Sequence, residues 1–161
     1  MTAPQIRLAA GAADMAEARA LFEEYAAWLA IDLCFQGFAE ELATLPGTYA
    51  PPAGRLLLAG PPGGAVGCIA LRPLVKDGVP PGTAEVKRLY VRPAARGGGL
   101  GARLVERLVT EARAIGYRAL MLDTLDTMRE AQSLYRRFGF AECSPYYHNP
   151  HPGTVYMRRE L

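Results

Sequence analysis

The residues with the clearest chemical content are Arg96-Gly97-Gly98-Gly99-Leu100-Gly101, set between the end of a strand-like run and the start of a helical one. Glycine has no Cβ, so the backbone can come close to a ligand. The first amides of a helix have no internal acceptors and carry the positive end of its dipole. Together these features suit a phosphate group. Arg96 adds a charged donor, and Arg92 and Arg103 keep the neighbourhood positive. Two common phosphate motifs do not fit. A P-loop needs Lys-Ser or Lys-Thr after its glycines, and none is present here; a dinucleotide fingerprint needs a third glycine where this chain has Ala102, and it sits near the chain start. The bland alternative is a loop that only turns. Idle glycines at a helix start would cost roughly 1 kcal/mol each relative to alanine.

The elements that must position this loop can be read from periodicity. Ile6 to Ala9 is a short apolar run that predicts a first strand. Asp14 is a plausible N-cap for the next helix, whose Met15, Ala18, Leu21, Phe22, Tyr25, Trp28 and Leu29 recur at helical spacing. Phe38 to Leu45 predicts a shorter helix stopped by Pro46-Gly47. Arg55 to Ala59 and Ala65 to Leu71 predict an antiparallel hairpin, and Thr83 to Val91 a further strand. After the glycines, Leu100, Leu104, Leu108, Ala112 and Ile115 line one face of a helix. Ala119 to Leu122 reads as a strand, Arg129 to Arg137 as a helix, and Phe140 to Cys143 and Thr154 to Arg158 as final strands. Tyr146 to Gly153 is an aromatic, proline-rich loop. The order implies an α+β or mixed α/β fold with one sheet covered by helices.

Composition narrows the field. The 161 residues suit one domain, with residues 1–161 as its extent, and half of them are hydrophobic. A net charge of +2 gives no general attraction to nucleic acid or anionic membrane, so neither is an expected partner. Cys34, Cys68 and Cys143 are scattered and odd in number, which reads as reduced thiols in a cytoplasmic protein, with no metal site. The N-terminal residues lack a basic segment followed by an apolar one, so no signal peptide is expected. No apolar run approaches the ~20 residues that span a bilayer.

At this point the sequence resembles the GCN5-related N-acetyltransferase (GNAT) superfamily. Arg96-Gly97-Gly98-Gly99-Leu100-Gly101 fits its Arg/Gln-x-x-Gly-x-Gly/Ala signature, and Ala131-Gln132-Ser133-Leu134-Tyr135 through Gly139-Phe140 looks like its second hallmark. The resemblance is specific from about Glu85 to Phe140; before that it rests on element order. It implies one mixed, mostly antiparallel sheet with splayed central strands and helices on both faces. It further implies that acetyl-CoA is a co-substrate lying where two strands part. The amides from Gly97 to Ala102 would hold the pyrophosphate. The backbone of Leu89, Tyr90 and Val91 would border the pantetheine arm, and an amide near Leu89 could polarise the thioester carbonyl. At the position where many relatives carry an asparagine contacting the cofactor, this chain has Met128.

The reaction so implied needs a neutral amine, a stabilised oxyanion and a protonated leaving thiol. A lysine-like amine, with pKa about 10.4, costs about 4.6 kcal/mol to neutralise at pH 7. A general base is therefore valuable. By resemblance Glu85 is the candidate base; the rival reading is a structural carboxylate paired with Lys87. Asp123 and Asp126 are weaker candidates, and Asp126 is equally a helix cap. Tyr135 resembles the family tyrosine that protonates the thiolate; otherwise it packs beside Leu134 and Phe138. His148 and His151 could contact substrate or simply sit in an exposed loop. Two functions are open: an N-acetyltransferase acting on a primary amine in a ternary complex, or a non-catalytic acyl-CoA-binding module of the same fold. The acceptor is unspecified, and monomer and homodimer are both compatible.

Overall fold

The computed structural model of the protein describes residues 2–161. In chain order its elements are β1 (Ile6–Leu8), α1 (Gly11–Leu29), α2 (Phe38–Ala43), β2 (Arg55–Ala59), β3 (Gly67–Pro73), β4 (Thr83–Val91), α3 (Leu100–Ile115), β5 (Ala119–Leu125), α4 (Arg129–Arg137), β6 (Ala141–Glu142) and β7 (Thr154–Glu160). The strands form one sheet ordered β1-β2-β3-β4-β5-β7-β6, and only β4 and β5 run parallel.

Alternation along the strands separates two cores. Leu57 and Ala59 of β2 and Ile69 and Leu71 of β3 face α3, where Leu104, Leu108 and Ala112 bury the helix stripe read from the sequence. Leu56, Leu58, Cys68 and Ala70 face the other way, onto Ala18, Leu21 and Phe22 of α1. Helices therefore cover both faces of a sheet whose strands are apolar on both sides.

The start of α1 differs from the sequence expectation. The helix begins at Gly11 with Ala10 as its N-cap, so Asp14 lies inside the first turn. Its Oδ2 reaches back to the Ala10 N–H at 2.8 Å and pairs with Arg7 Nη1 at 2.7 Å. An acidic group in the first turn favours the helix from within as well as from the cap. The Arg7 and Ala10 hydrogen bonds hold its carboxyl below the ordinary value.

Two features open the sheet at its centre. The β4–β5 ladder runs only from Thr83↔Ala119 to Glu85↔Met121; β5 instead pairs with β7 through seven antiparallel pairs, Ala119↔Glu160 to Leu125↔Thr154. Meanwhile β4 carries a bulge. Its pairing with β3 shifts between Ala70↔Lys87 and Cys68↔Tyr90, so one extra residue is accommodated, and Arg88 there has φ 62°. A bulge adds local twist and flips the side-chain parity of the residues beyond it. Ala84 and Val86 face the α3 core before it, Leu89 and Val91 after it. The Arg88 side chain is buried and fork-paired to Glu41 of α2, with Nε and Nη2 each 2.9 Å from a carboxylate oxygen. Phe38 and Tyr25 pack against its guanidinium, 5.2 and 5.8 Å from ring centre to Cζ. An ion pair from another element thus holds a non-glycine residue at positive φ where the strands part.

Candidate active site

At the outer end of the cleft, Gly97 and Gly99 have φ of 92° and 78°, values that disfavour a side chain, and Gly99 is the N-cap of α3. The first α3 amide with a backbone acceptor is Arg103, bonded to Gly99 O at 3.1 Å. Among the described residues no protein acceptor meets the amides from Gly97 to Ala102. A Cβ built on Gly97, Gly98 or Gly99 meets nothing within 4 Å, so the loop borders open space. Such a set of free amides can donate to anionic oxygens. Leu89, Tyr90, Val91, Arg96, Gly97, Gly99, Leu100, Gly101 and Ala102 all border one groove of about 310 Å³; Gly98 alone of the run from Arg96 to Ala102 does not.

The charges around this loop are arranged differently from the sequence expectation. Arg92 turns to α1 and pairs with Glu24 at 2.8 Å, so its charge is spent there. Arg96 donates from Nε to the Val91 carbonyl at 2.8 Å, with its guanidinium over the rings of Trp28 and Tyr90. Arg137 of α4 borders the groove from the opposite wall, a contribution that the sequence motifs do not reveal. Met128 is the N-cap of α4 and lines the groove, and its Sδ accepts the Thr124 hydroxyl at 3.7 Å. Asp126 does not cap α4; its backbone N–H bonds Gly153 O at 2.8 Å.

Deeper in, where β4 and β5 diverge, lies a cavity of about 50 Å³, room for a few waters or one small group. Leu89, Lys87, Asp123, Thr124 and Tyr135 are among its lining residues. Tyr135 is only 7 % exposed, and its ring meets Phe140 edge-on at 5.6 Å. Its hydroxyl has no hydrogen-bond partner among the described residues, yet it is not sealed off from the cavity. Burial, reinforced by Tyr25 and Asp123, raises its pKa well above 10, so it stays a proton donor.

Beside this cavity a buried charge network runs across β3, β4 and β5. Glu85 Oε1 pairs with Arg72, at 2.8 Å from Nε and 2.7 Å from Nη2, and Oε2 accepts the Tyr146 hydroxyl at 2.6 Å. Lys87 Nζ donates to Gln36 Oε1 at 2.8 Å and lies 3.8 Å from Asp123 Oδ1. Asp123 Oδ2 accepts from Tyr147 at 2.5 Å and from Asn149 at 3.0 Å. Burial alone would raise the Glu85 pKa, but Lys87, Arg72 and the Tyr146 hydroxyl outweigh it and hold it below the ordinary 4.5. Burial dominates at Lys87 and lowers its pKa, with Glu85 and Asp123 opposing. The Lys87 partnership expected for Glu85 is thus one of charge, and the direct partner is Arg72.

A carboxylate whose folded pKa is depressed contributes stability that is fully present above its unfolded pKa and lost as pH falls through the folded value. We expect Glu85→Gln to lower the unfolding free energy by about 2–3 kcal/mol at pH 7, because Arg72 and Lys87 lose their counter-charge; the cost falls below the ~3–5 kcal/mol of a fully buried pair because Arg72 is partly exposed. Urea unfolding at a series of pH values should show that deficit shrinking below about pH 4. A deficit independent of pH would remove the ion pair as its cause.

His148 is exposed, and His151 borders a separate surface depression beside Asp126 and Gly153. Gln36 and Arg72 carry no signal in the sequence, and for Tyr146, Tyr147 and Asn149 only the Tyr-Tyr-His-Asn run hints at more than a loop. Among the described residues no cluster of His, Cys, Asp or Glu could hold a metal ion, and no helix is long and apolar enough to cross a membrane.

Comparison with known proteins agrees with this geometry. The model of the Acetyltransferase (GNAT) family matches residues 15–140. An uncharacterized N-acetyltransferase of Schizosaccharomyces pombe is 44 % identical over 149 residues, covering 92 % of this chain and 89 % of the relative. An IAA acetyltransferase of Azospirillum brasilense is 42 % identical over 115 residues, 71 % and 72 % of the two chains. Among solved structures, an acetyltransferase from Streptococcus agalactiae superposes with TM-score 0.77 at 22 % identity over 98 % of both chains. A GNAT family acetyltransferase from Elizabethkingia anophelis with acetyl-CoA bound superposes with TM-score 0.54 at 22 % identity, over 68 % of this chain and 77 % of that one.

Proposed function

The chain belongs to the Acetyltransferase (GNAT) family, and from that membership we propose that it transfers an acetyl group from acetyl-CoA to an amine by direct attack within a ternary complex. One observation carries the reading. Unpartnered amides from Gly97 to Ala102 stand at one end of the cleft, and the unpartnered Tyr135 hydroxyl at its inner end. A diphosphate held at the loop directs the rest of a long thiol cofactor along β4, toward the place where the strands part. Leu100, Gly101 and Ala102 supply helix-terminal donors there, and Arg96 and Arg137 supply charge. As the cofactor arm docks on β4, Arg96 leaves the Val91 carbonyl.

At the inner end the amine attacks the thioester carbon and the C–S bond breaks. Tyr135 gives its proton to the departing sulfur, and a backbone amide near Leu89 stabilises the oxyanion. The amine proton goes to a carboxylate. Glu85 is ionised at neutral pH, but both its oxygens already accept hydrogen bonds. Among the described residues Asp123 Oδ1 accepts no hydrogen bond and has Lys87 3.8 Å away, and Asp123 borders the cavity. The favoured path therefore ends on Asp123, directly or through cavity water, with Glu85 as the second candidate. The Glu85→Gln variant reads this choice below its unfolding temperature: retained turnover favours Asp123, and collapse favours Glu85.

Isothermal calorimetry with acetyl-CoA tests the central point. Gly99→Val places a β-branched residue at φ 78° with open space around its Cβ. The fold should lose only about 1–2 kcal/mol, while the altered cradle weakens acetyl-CoA binding at least 10-fold. Unchanged affinity, or no binding by the wild type, would refute the assignment of the loop. Tight binding with no thiol release across a broad amine panel would instead mark a non-catalytic acyl-CoA module.

A further inference from the structure

Lys87 also lines a second cavity, of about 200 Å³, on which Tyr135 does not border. Arg72, Lys76, Glu85, Tyr146 and Tyr147 are among the other residues of its wall. The charged groups in its wall are three cations and one carboxylate, with the Asp123 carboxylate 3.8 Å from the Lys87 nitrogen. The hydrogen-bonding inventory is more lopsided still. Each Glu85 oxygen is already accepting, from Arg72 or from Tyr146, and Gln36 Oε1 accepts from Lys87. The tyrosine hydroxyls spend their protons on Glu85 and Asp123.

The donors are in surplus. Arg72 uses Nε and Nη2 on Glu85, and its Nη1 has no partner among the described residues. Lys87 makes one hydrogen bond, to Gln36, and has Asp123 Oδ1 3.8 Å away, with an ammonium that can donate three. Lys76, exposed at the rim over the Tyr147 ring at 5.3 Å, has no carboxylate partner among the described residues. Such a wall suits a ligand that brings acceptors and negative charge. A polyamine, or a lysine in a basic segment, brings only donors and like charge. A purely apolar amine leaves the donors desolvated and unmatched, which is costly.

Resting on the acyl-transfer reading above, we infer that the acceptor is an amine that also carries a carboxylate, bound through that carboxylate by Arg72, Lys76 and Lys87. Lys87 borders both cavities, so the carboxylate sits on one side of it while the nitrogen reaches Asp123 and the acetyl group on the other. An amino acid has this shape.

The test is a thiol-release panel with acetyl-CoA and the proteinogenic L-amino acids, each beside its C-terminal amide and the amine left by decarboxylation. For those turned over, kcat/KM should favour the free acid over its amide by about 10- to 100-fold, the range expected for a charge-assisted hydrogen bond. Lys76→Gln removes an exposed side chain outside the core. It should raise KM for the acid about 3- to 10-fold at unchanged kcat and leave the amide unaffected, so the gap narrows. Amides or plain amines used as well as acids would overturn the inference, as would a Lys76→Gln effect of equal size on acid and amide. So would silence of the whole panel. Acetyl-CoA calorimetry separates that silence from failure of the larger reading: binding with no turned-over amino acid removes only the carboxylate assignment, whereas no binding removes both.

Discussion

Replacing Tyr135 by phenylalanine should lower kcat about 100-fold or more while leaving the dissociation constant for acetyl-CoA within about 2-fold. General-acid catalysis is worth about 10²–10⁴ in rate. The substitution removes one oxygen that bonds no other described residue. The ring stays, with its edge contact to Phe140 at 5.6 Å, so neither the core nor the glycine loop is disturbed. The pH profile adds a signature. Burial holds the Tyr135 hydroxyl protonated well past pH 10, so the wild type should keep its acid throughout the range in which the acceptor amine deprotonates. Its kcat/KM should therefore rise with pH and show no falling limb below about pH 10. The variant should run parallel at a lower level. Steady-state thiol release from pH 6 to 10, with calorimetry at pH 7, measures both quantities. A kcat within 2-fold of wild type would take the proton-donor role away from Tyr135.

How far the sequence shows this site depends on how local each part is. The glycine loop is legible because its cause lies within a few residues: positive φ at Gly97 and Gly99, then helix amides without acceptors. The bounds of β2, β4 and α4 are legible for the same reason, through local periodicity. The start of α1 is not, because Asp14 reaches back to Ala10 from inside the turn, and spacing alone does not distinguish the two positions. The bulge is hidden. Nothing about Arg88 announces positive φ, and the partner that holds it, Glu41, is 47 residues away. The second cavity is hidden more deeply still. Its Glu85 is matched by Arg72 at a separation of 13 residues and by Tyr146 at 61, and only the folded sheet brings them together. Main-chain chemistry within one loop leaves a mark in sequence, whereas a set of side chains assembled from four segments leaves almost none.

That dependence on a distant partner gives Glu41 a large expected effect on stability. Glu41→Ala should cost about 3–5 kcal/mol of unfolding free energy, the range for breaking a buried ion pair by removing one side. The Arg88 guanidinium would stay buried between Phe38 and Tyr25 with neither fork donor matched. Its backbone would also lose the restraint that holds φ at 62°, a conformation costing roughly 1–2 kcal/mol for a residue with a side chain. Both penalties can be relieved together. Glu41→Ala combined with Arg88→Gly removes the stranded charge and lets the bulge keep positive φ without strain, so the double variant should be more stable than Glu41→Ala alone. Urea denaturation supplies the comparison, and acetyl-CoA calorimetry supplies its functional counterpart. The bulge sets which way Leu89 and Val91 face, so relaxation in the single variant should weaken cofactor binding and the double variant should recover it. A double variant less stable than Glu41→Ala would mean that the arginine stacking, and not the ion pair, holds the strands apart.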